Sequence, residues 1–329
     1  MKNINTDVKI PKKFKYRKYR KSRTQGMEAD AISRKLIQVI NHTVNMTALT
    51  IIILFIAYAG YALWDSHQIY QAADKSHYEK YKPTAENEGI SFKELQSINA
   101  EVIAWLSVYG TNINYPVTQG QNNMKYVDTN AEGQYSLSGS IFLDCSNSMD
   151  FNDFNNILYG HHMANKVMFG EIGEFSEEKM FDSHKYGILY FDEKDHGIEF
   201  FAYIHTSAYN NAVFTANVKE DERQTYLDGL LTNAIYKRDI GVTTEDHIIL
   251  LSTCSSSSTN GRDILIGRIT SEIYEDPFLN TKKNDGENQG ADSQSGLVKE
   301  IYLMDFILAV LSIALISVIY YSRKIKRRN

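Results

Sequence analysis

The feature that most constrains this chain is an apolar segment without charges near its N-terminus. Residues 43–64 contain no charged side chain before Asp65 and include the run ALTIIILFIAYAGYAL. A helix rises about 1.5 Å per residue, so a segment of this length can cross the hydrocarbon core of a bilayer. A second apolar stretch, residues 301–321, is interrupted only by Asp305. We therefore predict two transmembrane helices, with a buried core helix as the alternative for each.

The flanking charges predict how these two segments are oriented. Residues 1–23 hold ten lysines or arginines against one acidic residue, and the C-terminal end reads RKIKRRN. Positively charged flanks remain in the cytoplasm. We expect basic cytoplasmic tails at 1–42 and 322–329, a double-pass protein in the cell membrane, and an extracellular region between the spans. A cleaved signal peptide is disfavoured, because the apolar run is too long and no small-x-small site follows it.

The region between the basic tails is strongly acidic. Residues 65–322 contain 18 Lys plus Arg and 37 Asp plus Glu, a net charge of −19. Such a surface argues against nucleic acid as a partner, whereas the tails are suited to anionic lipid. Only Cys145 and Cys254 are present, too few for a disulfide scaffold, and a domain of this size can bury a core without one.

Hydrophobic periodicity divides the acidic region. Residues 65–90 are polar and predict a helical stalk, and the capping box at Ser91–Glu94 predicts a helix or two that extend through Val102 and Ile103. Residues 275–300 lack periodicity and predict a flexible tether. Between them, residues 91–274 form the predicted folded domain. Short β-branched and aromatic runs predict strands at 186–191, 198–205, 248–253 and 263–269, with turn residues at 192–197 and one helix within 221–238. This pattern is mainly β and is typical of a closed barrel or a sandwich.

Cys254 ends one of these apolar runs and opens a small polar loop. Residues 248–253 read IILLST, and SSSSTNG follows the cysteine. A strand end holds a side chain rigidly at the rim of a sheet, and small loop residues leave it accessible. We interpret Cys254 as a reactive thiol, with a buried structural cysteine as the alternative, since free cysteines are usually buried.

Two histidines follow another strand-like run, NNILYG. Adjacent residues such as His161 and His162 point to different sides of a strand or helix, whereas paired zinc ligands favour i, i+4 spacing. Neither H-E-x-x-H nor C-x-x-C occurs in the chain. We therefore predict no metal and no cofactor, and we interpret this pair as the source of a catalytic histidine.

Arg262 lies eight residues after Cys254 and precedes the strand-like run DILIGRI. Two strands joined by the intervening loop would place Arg262 beside Cys254. A guanidinium near a thiol favours the thiolate and can donate hydrogen bonds to an oxyanion. Cysteine, histidine and arginine together indicate acyl transfer by a thiolate, although a surface arginine remains the alternative.

These residues together resemble the sortase family, whose signature is T-L-x-T-C on one strand, an arginine on the next and a distant histidine. Here the strand reads Leu250-Leu251-Ser252-Thr253-Cys254, with leucine in place of the first threonine. The segments INAEVIAWLSVYGTNINYPVTQG (98–120) and GSIFLDCSNSMDFNDFNNILYGHHM (139–163) are most similar to class B. His162 replaces the usual asparagine. The resemblance covers about residues 91–270.

The resemblance implies a mainly β fold: a closed eight-stranded sortase-type β-barrel with N-terminal helices and a helix before the last two strands. It implies that Cys254 is the nucleophile, that His161, directly after Tyr-Gly, is the general acid, and that Arg262 holds the substrate carbonyl or oxyanion. Ser252 and Asn123 match positions that line the substrate groove of that class.

The resemblance also implies the partners: secreted proteins with a C-terminal sorting signal, and an amine that accepts the acyl group. A second membrane span favours a pilin lysine, and thus pilus polymerisation, over a peptidoglycan precursor and wall anchoring. Two further classes of protein fit these residues less well. A papain-like peptidase would have its cysteine before its histidine, the reverse of the order here. A non-enzymatic two-span receptor or adhesin would need none of the Cys, His and Arg together.

Overall fold

The computed structural model of the chain describes residues 13–84, 89–254 and 259–279. The α-helices in these ranges are α1 (Lys13–Ala73), α2 (Ile90–Ile98), α3 (Glu178–Ser183) and α4 (Arg223–Asn233). The strands in the same ranges are β1 (Val102–Val108), β2 (Asn114–Thr118), β3 (Ile141–Leu143), β4 (Asn155–Tyr159), β5 (Tyr186–Phe191), β6 (Lys194–Ser207), β7 (Tyr236–Lys237), β8 (His247–Cys254) and β9 (Gly261–Thr270). Described residues 13–64 belong to one compact unit and 65–279 to another.

One described helix segment, Asp30–Gln71, is long and apolar enough to cross a membrane. Length and composition are the basis of this statement, and a signal sequence shares both properties. The segment includes the predicted span 43–64. The predicted second span 301–321 and the tail 322–329 lie outside the described residues, as do residues 280–300 of the predicted tether.

The second unit contains a closed β-barrel, as predicted. Its eight strands follow the order β5-β1-β2-β3-β4-β8-β9-β6, and β6 pairs with β5 to close the cycle. The pairs β2–β3 and β4–β8 are parallel, and the others are antiparallel. The two-residue strand β7 adds to β6 beside this cycle. Closure leaves no free sheet edge around the ring, which places one face of every strand inside the barrel.

Strand alternation produces two cores. Inward-facing residues such as Trp105, Leu251 and Leu265 form the main core inside the barrel. Outward-facing residues of β4, β6, β8 and β9 form a second core, which is covered by Leu227 and Leu230 of α4. Helix α4 therefore lies before the last two strands, as predicted, but it ends at Asn233 rather than 238, because Tyr236–Lys237 pairs with β6.

Two local predictions at the N-terminal side of the barrel are wrong. The N-cap of α2 is Gly89, with φ of 73°, and Ser91 lies inside the helix. Val102 and Ile103, for which the sequence predicts a helix, begin strand β1 instead, where Val102 pairs with Thr118 of β2 and an extended backbone suits both β-branched side chains.

The predicted stalk and the predicted turn also differ from the structure. Tyr78 and Tyr81 within residues 65–90 are buried in the main core, so this part of the stalk packs on the barrel. Between β5 and β6 only Asp192 and Glu193 form the turn, with φ of 50° and 61°. Two consecutive positive φ angles match the right-handed twist of a hairpin, so the strand resumes at Lys194.

The last described residues are also packed rather than free. Tyr274 stacks on Tyr186 with ring centroids 4.1 Å apart, and its carbonyl accepts a hydrogen bond from Tyr109 Oη at 3.0 Å. Phe278 stacks on His184 at 4.6 Å. The folded region therefore extends at least four residues past the predicted boundary at 274.

Candidate active site

The hairpin of β8 and β9 brings Cys254 and Arg262 together. The two residues are direct partners in the antiparallel register, at the end of both strands. Since Leu251 and Leu265 face the barrel interior, alternation directs Cys254 and Arg262 to the outer face. Cys254 is exposed, which agrees with the sequence interpretation of an accessible thiol. Loop residues 255–258 lie outside the described ranges.

His161 reaches the same end of the barrel by a parallel pairing. Tyr159 of β4 is the register partner of Ser252 of β8, and the Gly160 amide donates to the Ser252 carbonyl at 3.2 Å. His161 follows Tyr159 by two residues, just as Cys254 follows Ser252. Parallel strands that share a register end together, so the sheet brings the predicted histidine and cysteine to one rim.

A main-chain carbonyl holds the His161 ring. His161 Nε2 lies 2.7 Å from the carbonyl oxygen of Val127. A carbonyl can only accept, so Nε2 carries the proton in this contact, and Nδ1 is the nitrogen that can gain or lose one. Among the described residues, no carboxylate forms an ion pair with this histidine. The orienting partner of His161 is thus uncharged.

Two glycines allow this arrangement. Gly139 has φ of 57°, and a Cβ there would lie 2.6 Å from the Val127 carbonyl oxygen that contacts His161. A Cβ on Gly160 would lie 2.7 Å from the ring of Phe169, whose amide donates to the His161 carbonyl at 3.1 Å. A side chain at either glycine would displace the histidine or its partner.

His162 has different surroundings from His161. It forms an isolated antiparallel bridge with Met168, and its Nδ1 is buried without a hydrogen-bond partner among the described residues. The structure therefore separates the two adjacent rings, as expected from their positions in the chain.

Arg262 has few partners within the described residues. Its Nη1 donates to the carbonyl of Gly261 at 3.1 Å, and it forms no ion pair with any carboxylate in the described part of the chain. Burial raises the pKa of the Tyr159 phenol, as do the charge of Asp144 and its hydrogen bond, whereas the charge of Arg262 lowers it. Arg262 therefore acts electrostatically on the outer face, toward Tyr159.

The two predicted groove residues differ in how their polar atoms are used. Ser252 is 1% exposed, on the face of Cys254, and its Oγ has no hydrogen-bond partner among the described residues. Asn123 is engaged on both ends: Nδ2 donates to Asp144 Oδ2 at 2.8 Å, and Oδ1 accepts from the Cys145 amide at 2.7 Å. A buried hydroxyl without a partner carries a cost that a bound ligand can remove.

Asp144 was missed as a residue of this site. It lies just after β3 and accepts from the hydroxyl of Tyr159 at 3.1 Å as well as from Asn123. In the sequence it ends the GSIFLD segment used for the resemblance, but only the strand pairing shows that it lies beside Tyr159. Within the described ranges, no group of three or more His, Cys, Asp or Glu residues could hold a metal ion.

Comparisons with known proteins decide the family. No protein-family model matches the chain. Sortase B of Staphylococcus aureus is 30% identical over 206 residues, which cover 61% of this chain and 81% of that protein. The X-ray structure of Clostridium perfringens sortase B matches with a TM-score of 0.52 and 32% identity, over 54% of this chain and 98% of that one. The chain belongs to the class B sortases.

A second solved structure extends this comparison. A class B sortase of Streptococcus pyogenes involved in pilus biogenesis matches this sortase with a TM-score of 0.52 and 38% identity, over 55% of this chain and 99% of that one. As a sortase, the protein is a cysteine transpeptidase that acts on sorting-signal substrates. Family membership excludes the papain-like peptidase and the non-enzymatic receptor or adhesin.

Proposed function

We propose that this sortase forms its acyl-enzyme on Cys254, with His161 and Arg262 as its catalytic partners. The Cys254 thiolate attacks the scissile carbonyl of the sorting signal, and Arg262 donates hydrogen bonds to the resulting oxyanion. When the C–N bond breaks, protonated His161 gives its proton to the leaving amine. The acceptor amine then attacks the thioester and gives a proton to the now neutral His161, which releases the Cys254 thiolate and leaves a new amide bond.

The observation that carries this proposal is the register of three strands. Strand β8 ends with Cys254, β9 begins beside it with Arg262 as its second residue, and His161 follows the end of β4 at the same rim. Arg262 is free of ion pairs with the described carboxylates, so its fork of donors is available to a carbonyl oxygen. The proposal includes Ser252 and Asn123 as residues that bind the sorting signal, because the Ser252 hydroxyl is buried without a described partner on the same face.

Formation of the acyl-enzyme tests this assignment. The full-length chain in detergent is incubated with sorting-signal peptides taken from secreted proteins of the same genome, and the intact mass is measured. We expect an acyl adduct on Cys254, and the same adduct in the Cys145→Ser variant. If the adduct were lost in Cys145→Ser but kept in Cys254→Ala, the assignment of Cys254 would be wrong.

We further propose that the acceptor is a pilin lysine, so that the product is a pilus polymer. Two observations support this choice. The Streptococcus pyogenes relative, at 38% identity, is a class B sortase involved in pilus biogenesis. The sequence also predicts a second membrane span at 301–321, which would hold the enzyme beside membrane-embedded pilin. The alternative is anchoring of surface proteins to a peptidoglycan precursor.

Cells that express the enzyme and its substrate distinguish the two acceptors. A pilin polymer would give a ladder of regularly spaced bands in denaturing gels, and digestion of the wall glycan would leave the ladder intact. Wall anchoring would give a single protein that glycan digestion releases with a wall fragment attached. The second outcome would overturn the pilin proposal but not the assignment of Cys254.

The proposed topology places both tails in the cytoplasm, with contacts from their basic residues to anionic lipid. A reporter fused at residue 329 should therefore read as cytoplasmic, and an extracellular reading would refute the second span.

Truncation after Leu279 retains the Phe278 stack and removes that span. We expect catalysis in detergent to change little and polymer in cells to fall. Undiminished polymer would leave the second span without a role in assembly.

A further inference from the structure

The carboxylate of Asp144 is buried beside Tyr159, on the outer face of the barrel that also holds Cys254. Asp144 is 7% exposed, and it forms no ion pair with any described lysine, arginine or histidine. Its partners are neutral donors: Tyr159 Oη at 3.1 Å, Asn123 Nδ2 at 2.8 Å and the amide of Ser146 at 2.8 Å. A buried ionised carboxylate must be hydrogen-bonded, and here all three donors converge on one side chain.

Two of these donors belong to the surface where the sorting signal is proposed to bind. Asn123 is a proposed substrate residue, and its other amide atom is bound to the Cys145 amide. Tyr159 stands opposite Ser252 in the parallel register and shares its face with Cys254. The centroid of its ring lies 5.5 Å from that of Phe142 and 6.4 Å from that of Phe214.

We propose that Asp144 is a positioning residue for the sorting-signal peptide: its carboxylate fixes Asn123 and Tyr159 in the orientations that the peptide meets. Charge-assisted hydrogen bonds are shorter and stronger than neutral ones, so one buried charge holds both side chains before substrate arrives. Asp144 does not touch the reacting atoms in this account. The inference rests on the proposed acyl-enzyme at Cys254.

The test is the variant Asp144→Asn in the full-length chain in detergent, with the peptide that acylates the wild-type enzyme. An asparagine has no charge and one acceptor oxygen in place of two, so Asn123 and Tyr159 lose the charged oxygen to which both now donate. We expect KM to rise about ten-fold, the size expected for one charge-assisted hydrogen bond, with kcat changed less than about two-fold.

A second readout separates this role from damage to the catalytic residues or the fold. The rate at which iodoacetamide alkylates Cys254, measured in a Cys145→Ser background, should stay within about two-fold of wild type, since Asp144 does not contact the thiol. The matched control is Asp150→Asn, the same chemical change on an exposed loop residue whose partners are Ser148 and Asn152. It should alter neither KM nor alkylation.

A double-mutant cycle measures the link directly. If Asp144 acts through Asn123, the effects of Asp144→Asn and Asn123→Ala on KM should be strongly non-additive. Tyr159→Phe removes one donor and leaves the carboxylate with two, so it should raise KM by about three-fold. If Asp144→Asn fails to fold, this milder variant and Asn123→Ala carry the test.

Several outcomes decide against the proposal. An unchanged KM in Asp144→Asn, additive effects in the cycle, or a loss confined to kcat would overturn it while leaving the acyl-enzyme assignment intact. An unchanged KM in Tyr159→Phe together with Asn123→Ala would do the same. Failure of the wild-type chain to form any acyl-enzyme on Cys254 would overturn the proposed function, and this inference with it.

Discussion

The two faces of the barrel wall at its Cys254 end differ in how completely their polar groups are bonded. On the outer face, one row across β8, β9 and β6 contains Cys254, Arg262 and Thr206. One residue away, the inward row contains Thr253, Asp263 and His205 in the same pairing. Residues that are adjacent in sequence, such as Cys254 and Thr253, therefore face opposite sides of the barrel wall.

The inward row is bonded within the protein. Asp263 is buried, and its Oδ1 accepts from Tyr203 Oη at 2.9 Å and from His205 Nδ1 at 2.8 Å. Burial raises the pKa of the Tyr203 phenol, and the negative charge of Asp263 raises it further, so the hydroxyl remains a donor. Only the Thr253 hydroxyl in this row lacks a described partner.

The outward face leaves more of its groups uncommitted. Thr206 accepts from Asn210 Nδ2 at 2.9 Å. Within the described ranges, however, the side chain of Arg262 bonds only the carbonyl of Gly261, and the Ser252 hydroxyl on the same face has no partner. Satisfied buried networks make a structure rigid and unique, whereas unsatisfied buried groups cost free energy unless a ligand completes them. The difference agrees with the proposal above, in which the inner face stabilises the barrel and the outer face binds substrate.

The largest expected effect is on the outer face. Cys254→Ala should abolish acyl-enzyme and product, because the nucleophile is lost, and alanine fits the strand without changing the fold. Intact mass spectrometry and thermal unfolding measure the two parts. Thr253→Ala, one residue away on the inner face, is the matched control and should retain the acyl-enzyme. Turnover in Cys254→Ala would show that the nucleophile is not Cys254 and that the outer face was wrongly identified as the catalytic one.

His161→Ala should come next, with a loss of about 100- to 10,000-fold, the usual contribution of a general acid or base. His162→Ala should lose far less, because the described Val127 contact belongs to His161, whereas Nδ1 of His162 is buried and has no described hydrogen-bond partner. Transpeptidation rates at equal folded concentration compare the two. A larger loss at His162 would show that the wrong ring was chosen.

Arg262→Lys should lose roughly 100- to 1000-fold in kcat, the usual cost of one oxyanion donor. A lysine keeps the charge but replaces a planar fork of donors with a single flexible point. Arg268→Lys is the control on the same strand, since Arg268 is bound to Glu199 at 2.7 Å at the far end of the hairpin. Full activity in Arg262→Lys would show that Arg262 contributes only its positive charge and not the geometry of its hydrogen-bond donors.

The smallest effect on activity should come from the inward row. Asp263→Asn removes the charge that Tyr203 and His205 share, so the free energy of unfolding should fall by about 1.5–3 kcal/mol, while kcat/KM falls less than about ten-fold. Urea unfolding measures the first and peptide kinetics the second. The exposed Asp228→Asn on α4 is the control. If Asp263→Asn lost as much kcat/KM as Arg262→Lys, the inner face would contribute to catalysis as well as to stability, and the contrast between the two faces would fail.

Much of the site could be predicted because its signals are local. The run from Leu250 to Cys254 and the arginine after the loop define a hairpin, and hairpin register follows from short-range spacing. The strands at 186–191 and 248–253 were predicted for the same reason. The prediction for Val102 was wrong because a short apolar run fits a helix and a strand equally well, and its pairing with Thr118 of β2 is not visible in the local sequence.

The sequence by itself determined the apolar N-terminal helix, the β-rich domain, and the residue types able to carry out acyl transfer. Only the tertiary structure decided which partners those residues have. Val127 holds His161, and Asp144 joins Asn123 to Tyr159, through contacts between segments 15 to 34 residues apart in the chain. Such contacts depend on strand order and on the face to which each side chain points, and both are fixed only when the barrel closes.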